Sequence, residues 1–125
     1  RSKMSEAVEQ ESIEEFDNNL GSAIQVLKSI HTIIYACTAV PKLLIKTEEL
    51  CRPLMAKLLN ENTFVYCQYY KEELLDWINV FTFYEKPLSI WMWKQYRLIL
   101  DGYCIRYNDQ FNRCVQIIDN YITQA

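Results

Sequence analysis

Between residues 20 and 40 the apolar positions Leu20, Ala23, Ile24, Leu27, Ile30, Ile34 and Cys37 recur at intervals of three and four. That spacing places them on one stripe of an α-helix. Val26, Ile33 and Tyr35 widen the stripe, so the pattern predicts a helix covered on more than one side. Pro41 ends it, because proline has no N–H for the helical ladder and its ring clashes with the preceding turn. A second helix is predicted from Thr47 to Asn60, with Thr47 as N-cap and Glu48 and Glu49 favourable to the helix dipole. Leu50, Leu54 and Leu58 form its buried face. Pro53 admits two arrangements there: a kink inside the helix, or a start near Arg52 with Pro53 in the first turn.

A third helix is predicted from a cap at Asn62 or Thr63 to about Phe83. Its stripe is Cys67, Tyr70, Leu74, Trp77, Ile78 and Phe81, and its wet face is Lys71, Glu72, Glu73 and Asp76. Pro87 and Ser89 mark the start of a fourth, about Ser89 to Tyr103, with Met92, Trp93, Tyr96, Ile99, Leu100 and Tyr103 in line. Asn108-Asp109 caps a fifth, where Phe111, Cys114, Val115, Ile118 and Ile122 align. The structural packing is expected to rest on Trp77, Trp93, Tyr96, Leu100, Phe111 and Ile118. Trp91 sits two residues from Trp93, on another side of the helix, and belongs at a rim or against a neighbouring unit. Residues 1–18 differ. They hold six acids against Arg1 and Lys3, with Ile13 and Phe16 as the sizeable apolar residues near their end, and read as an acidic loop or tail, with helix from Ser12 onward as an option.

The odd helices begin near residues 20, 63 and 108, a recurrence of about 43 to 45 residues. Helical-pair repeats of the HEAT and armadillo type have a period of about 40–47. The expected fold is therefore all-α, an α-α superhelix of five antiparallel helices over residues 19–125, two repeats plus a half. An ordinary five-helix bundle is the alternative that spacing alone leaves open. In the repeat reading the fifth helix lacks its partner, so its apolar stripe is partly uncovered, and repeats bury their cores only by stacking on neighbours. With Arg rather than Met at its start, the chain reads as cut from something longer.

Charge and chemistry narrow the function classes. The net charge is −3, and outside residues 1–18 the chain is close to neutral, so neither part offers the basic face that nucleic acid requires. Half the residues are hydrophobic, enough for a core. No apolar run reaches the ~18 residues of a membrane span. The five cysteines, Cys37, Cys51, Cys67, Cys104 and Cys114, include no C-x-x-C pair and fall on apolar faces, as small hydrophobes do. They are expected as reduced thiols, with no metal site. His31 is the single histidine, which leaves no His-based metal cluster and no pattern that favours a Cys–His pair. Gly21 and Gly102 are isolated, so no phosphate-cradling loop is present. No catalytic residue and no cofactor is expected.

The run from Ser89 to Thr123 carries a more specific signal. It opens on Ser89, Met92 and Trp93, continues through Leu98-Ile99-Leu100 to Phe111, and closes on Asn120-Tyr121-Ile122-Thr123. In this order the residues resemble the importin-β superfamily of nuclear transport receptors, in its importin seven/eight branch. Upstream, Leu27 to Ile34 resembles the family's Ile-Leu-x-Thr-Ile-x-Thr-Leu helix. Tyr69 to Leu74 is similar to its Phe-Tyr-Glu-Glu-Ile helix with one insertion, and Glu49-Leu50-Cys51 matches loosely. Pro53 and the Tyr84-Glu85-Lys86 loop depart from the pattern.

The resemblance implies a segment of a receptor that wraps protein cargo and releases it under Ran-GTP, shuttling between cytoplasm and nucleus. The principal Ran site is expected in other parts of the full receptor. Cargo of this branch is basic, including ribosomal proteins and histones, and the acids Glu9, Glu11, Glu14, Glu15 and Asp17 are candidates for contact with it. Such charge supplies steering more than specificity. A freestanding helical adaptor that binds one partner protein is the rival expectation.

Overall fold

A computed structural model describes residues 3–60, 68–106 and 108–125 and contains, among them, five helices and no strand. Helix α1 spans Lys3–Ala36 and α2 spans Pro41–Leu58. After a 3₁₀ turn at Gln68–Tyr70 comes α3, Lys71–Tyr84. Helix α4, Ile90–Ile99, runs on as a π-helical stretch, Leu100–Arg106. A second 3₁₀ turn, Asn108–Gln110, leads into α5, Phe111–Gln124.

Helix α1 corrects the loop reading of residues 3–11 and takes up the option of helix from Ser12 onward. From Lys3 the acidic segment is helix, continuous with the part that packs, rather than a loop. Glutamate, glutamine and alanine are good helix formers, and no proline interrupts them. Residues 6–19 are exposed all round, so no apolar stripe advertised the helix. The costly nucleation step is supplied by the packed half, and the solvated half propagates from it.

Pro41 does more than end α1. The chain turns through Cys37–Ala39, Val40 is extended, and Pro41 is the first residue of α2, where a missing N–H costs nothing. Helix α2 then passes through Thr47 and Pro53 without restarting at Arg52. Thr47 is no cap; its hydroxyl donates to the Leu43 carbonyl at 2.8 Å. The buried face is Leu44, Glu48, Met55 and Leu58, with Cys51 half-buried, and not the line of Leu50 and Leu54. Leu50 is 71% exposed.

Helix α3 is central. Its expected stripe is in place, with Leu74, Trp77, Ile78 and Phe81 buried, and Glu73, assigned to the wet face, is buried too. The cap at Asn62 or Thr63 and Cys67 lie outside the described residues. Ser89 caps α4, its hydroxyl accepting the Met92 N–H at 3.2 Å.

Cross-helix contacts fix the directions. Along α1 and α3, Phe16 meets Tyr69, the Leu27 carbonyl accepts from the Trp77 indole at 2.9 Å, and Tyr35 meets Tyr84. Both series ascend, so the two helices are parallel. The same holds for α3 and α5, where Glu72 binds Arg113, Asn79 binds Asn120, and the Glu85 carbonyl accepts from Gln124. It holds again for α2 and α4, through Glu48 with Ser89 and the Leu58 carbonyl with Tyr103. Between α4 and α5 the order inverts: Met92 pairs with Tyr121, Tyr103 with Cys114.

The architecture is thus two layers, α1-α3-α5 and α2-α4, each parallel within itself and antiparallel to the other. Hydrogen-bonded partners lie 37 to 42 residues apart between α3 and α5. The separations between α2 and α4 are 41 and 45. This is the all-α, repeat-like arrangement that the helix spacing predicts. The core lies between the layers, where Trp77, Phe81, Met55, Met92, Tyr103 and Tyr121 are fully buried.

Candidate interaction surfaces

Each helix of the array has a side toward its neighbour, a side toward the other layer, and a side left over. With about 100° of turn per residue, the side chains sort readily. On α5, Arg113, Asn120 and Gln124 face α3, while Cys114, Ile117 and Tyr121 face the core. Phe111, Val115, Ile118 and Ile122 fall on a third arc, opposite α3. Phe111 is 58% and Ile122 66% exposed. Phe111 and Ile118, expected as packing residues, are therefore not in the core. The periodic stripe is present, but among the described residues nothing covers Phe111, Val115 or Ile122, and Ile118 is half-buried.

The first helical pair mirrors this. On α1, Val26 and Ile33 lie opposite the side that carries His31 and Tyr35 toward α3, and both are exposed. On α2, Leu43, Leu50 and Leu54 lie opposite Glu48, Arg52 and Met55, and all three are exposed. Between these two helices Ala23, Val26, Leu27, Leu54, Leu58 and Tyr70 line an apolar depression of about 260 Å³. Both ends of the array thus present apolar faces of the kind that mark contact sites.

A buried polar cluster joins α2 to the α3–α4 turn. Glu48, fully buried, accepts from Arg52 Nε at 2.8 Å and from the Ser89 hydroxyl at 2.5 Å. Arg52 also stands 5.7 Å over the Trp91 ring. Glu85, 2% exposed, accepts the Ser89 N–H at 3.2 Å. Its other carboxylate oxygen is buried without a hydrogen-bond partner. Burial, and then the Glu48 carboxylate, raise the Glu85 pKa to about 7. Sequence reading missed this cluster by treating charged residues as solvated. The available signal was Glu48, which falls on one stripe with Leu44, Cys51 and Met55.

A third feature lies on the outer side of α3, away from the core. Tyr35 and His31 from α1, Asp76, Asn79, Val80, Phe83 and Tyr84 from α3, and Gln116 from α5 line a groove of about 450 Å³. It brings His31 among aromatic and amide side chains, which the sequence did not indicate.

The remaining expected site residues are dispersed. Glu9, Glu11, Glu14, Glu15 and Asp17 are exposed, but helical turn spreads them around α1 instead of gathering them on one face. Trp93 and Tyr96 pack on the buried Tyr121 ring at 5.3 and 4.9 Å between centroids. Trp93 nonetheless sits at a rim, 37% exposed. Trp91, expected at a rim or against a neighbouring unit, takes the second place: it is half-buried, with Arg52 of α2, in the preceding helical pair, over its ring. Leu100 is half-buried at the start of the π-helical stretch.

Cys37, Cys51, Cys104 and Cys114 are free thiols. Burial pushes Cys51 up to about 11 and Cys114 to about 12, which keeps both protonated near neutral pH. Among the described residues no three His, Cys, Asp or Glu side chains converge on a metal-sized site, and no helix is long and apolar enough to cross a membrane. The chain matches no family model, no curated protein and no solved structure.

Proposed function

We propose that this chain is a protein-binding segment of a longer helical-repeat scaffold, specifically of a nuclear transport receptor. The supporting observation is the position of the uncovered apolar arcs on α1, α2 and α5. Each lies opposite the side already packed on a neighbour, where the next helix of a stacked array belongs. The transport assignment rests on the Ser89–Thr123 residue pattern. In that role the array holds basic protein cargo, and Ran-GTP, bound elsewhere on the receptor, drives release. The solvated acidic half of α1 supplies long-range attraction for such cargo.

An immunoblot of native protein with an antibody to this segment tests the scaffold. A band on the order of 100 kDa is expected for a solenoid with repeats on both sides. Capture of that band on GTP-loaded Ran tests the transport assignment. A band at the 14.9 kDa of this chain overturns both and leaves the freestanding adaptor.

A further inference from the structure

We infer that the groove on the outer side of α3 is a binding site for an arginine side chain presented by a partner protein. The inference rests on the protein-binding reading for the source of the ligand, and not on the stacking of further repeats.

The first observation is the arrangement of rings. Tyr35 and Tyr84 stand at 90° with centroids 6.1 Å apart, and Phe83 meets Tyr84 at 73° and 4.7 Å. The Tyr84 ring stands steeply to both Tyr35 and Phe83, so edges and π-faces border one space, and the faces carry the negative end of the aromatic quadrupole. All three rings are exposed, although each has enough apolar surface to have been buried. A cation seated among them gains an attraction that an apolar side chain does not.

The polar lining points the same way. Among the described residues no lysine or arginine lines the groove; its titratable groups besides the tyrosines are Asp76 and His31. Asp76 and Glu72 share a single cation, Arg113, at 2.9 Å each, so the three together are net negative. Gln116 donates to Asn120 at 3.3 Å, which leaves its carbonyl oxygen as an acceptor. Guanidinium suits this set better than ammonium. It is planar and stacks on rings, and its forked donors can serve a carboxylate and an amide carbonyl together.

Placement completes the argument. On α3 the groove residues Asp76, Asn79, Val80 and Phe83 lie opposite the buried Leu74, Trp77, Ile78 and Phe81. The groove therefore opens laterally from the layer, not toward either end face, and stays accessible when further helices stack on the ends.

The test is an NMR titration of the 125-residue chain with N-acetyl-arginine amide and, in parallel, N-acetyl-citrulline amide, its neutral shape match. Saturable shifts of the Tyr35, Phe83, Tyr84 and Asn79 resonances are expected with arginine, and affinity for citrulline on the order of tenfold lower. Tyr84→Leu, an exposed change whose folding is checked by thermal unfolding, should abolish the arginine shifts. Equal affinity for citrulline overturns the inference, as does the absence of saturable shifts. So does an arginine response confined to the acidic half of α1. A chain that proves to be a freestanding adaptor leaves the titration equally readable, so the two readings fail separately.

Discussion

Glu85→Gln isolates the cost of one buried charge. Glu85 closes the C-terminus of α3, and one of its carboxylate oxygens is buried without a partner. Burial and the nearby Glu48 carboxylate lift its pKa from the ordinary 4.5 to about 7, against the opposing pull of the Ser89 N–H and Arg52. At about 1.4 kcal/mol per tenfold change in proton affinity, carrying the charge in the folded state costs about 3 kcal/mol.

The sign follows from proton counting. Between pH 4.5 and about 7 the folded chain keeps a proton that the unfolded chain has released, so stability falls as pH rises. Below that window the contribution vanishes, and above it the full penalty stands. Glutamine is neutral at every pH and keeps the oxygen that accepts from Ser89. Urea unfolding of both proteins at pH 4.5, 6, 7 and 8 reads the difference. The variant should match the parent at pH 4.5 and exceed it by about 2–3 kcal/mol at pH 8. A difference that does not change with pH, or a variant less stable at pH 8, refutes the reasoning.

Two further substitutions probe the helices themselves. Gly21 lies in the exposed middle of α1, and a Cβ there would meet nothing within 4 Å. Gly21→Ala should stabilise by about 1 kcal/mol and raise the thermal midpoint by about 3–6 °C; an unchanged midpoint speaks against a continuous α1. Trp77→Phe removes the 2.9 Å bond to the Leu27 carbonyl and part of a fully buried ring. It should cost about 2–3 kcal/mol in urea unfolding, and a loss well under 1 kcal/mol would mean that the α1–α3 seam is not closed by this residue.

How much of this was legible follows from what period and punctuation can report. The helix count, the stripe of α3 and the start of α4 at Ser89 were readable, because apolar spacing and helix-start signals act locally. The start of α2 was missed because Pro41 was taken for a stop, when the same residue also opens a helix at its first position. The assumed buried line fell on Leu50 and Leu54, which left Glu48, on the opposite side, outside it. The helical nature of residues 3–11 was missed for the opposite reason: solvated helix carries no stripe, and only from Ser12, near Ile13 and Phe16, was helix an option. The groove at Tyr35, Asp76 and Gln116 could not be read, since it gathers residues from three helices whose register depends on packing.

The fate of the α5 stripe separates the two readings of the fold. A helix that closes a freestanding bundle needs one apolar arc, toward the core. Helix α5 has that arc in Cys114, Ile117 and Tyr121, and it already meets α3 through Arg113, Asn120 and Gln124. Phe111, Val115, Ile118 and Ile122 form a second apolar arc that this packing does not use. Phe111, Val115 and Ile122 are exposed and Ile118 is half-buried. Leaving such side chains uncovered forgoes roughly 1.5–3 kcal/mol apiece when fully uncovered, a large fraction of the stability of a small domain. The same surplus appears on α1 and α2 at the other end, at Val26, Ile33, Leu43 and Leu50. Both surpluses lie along the stacking direction, where an array continuing at each end would place them, as the proposed scaffold expects.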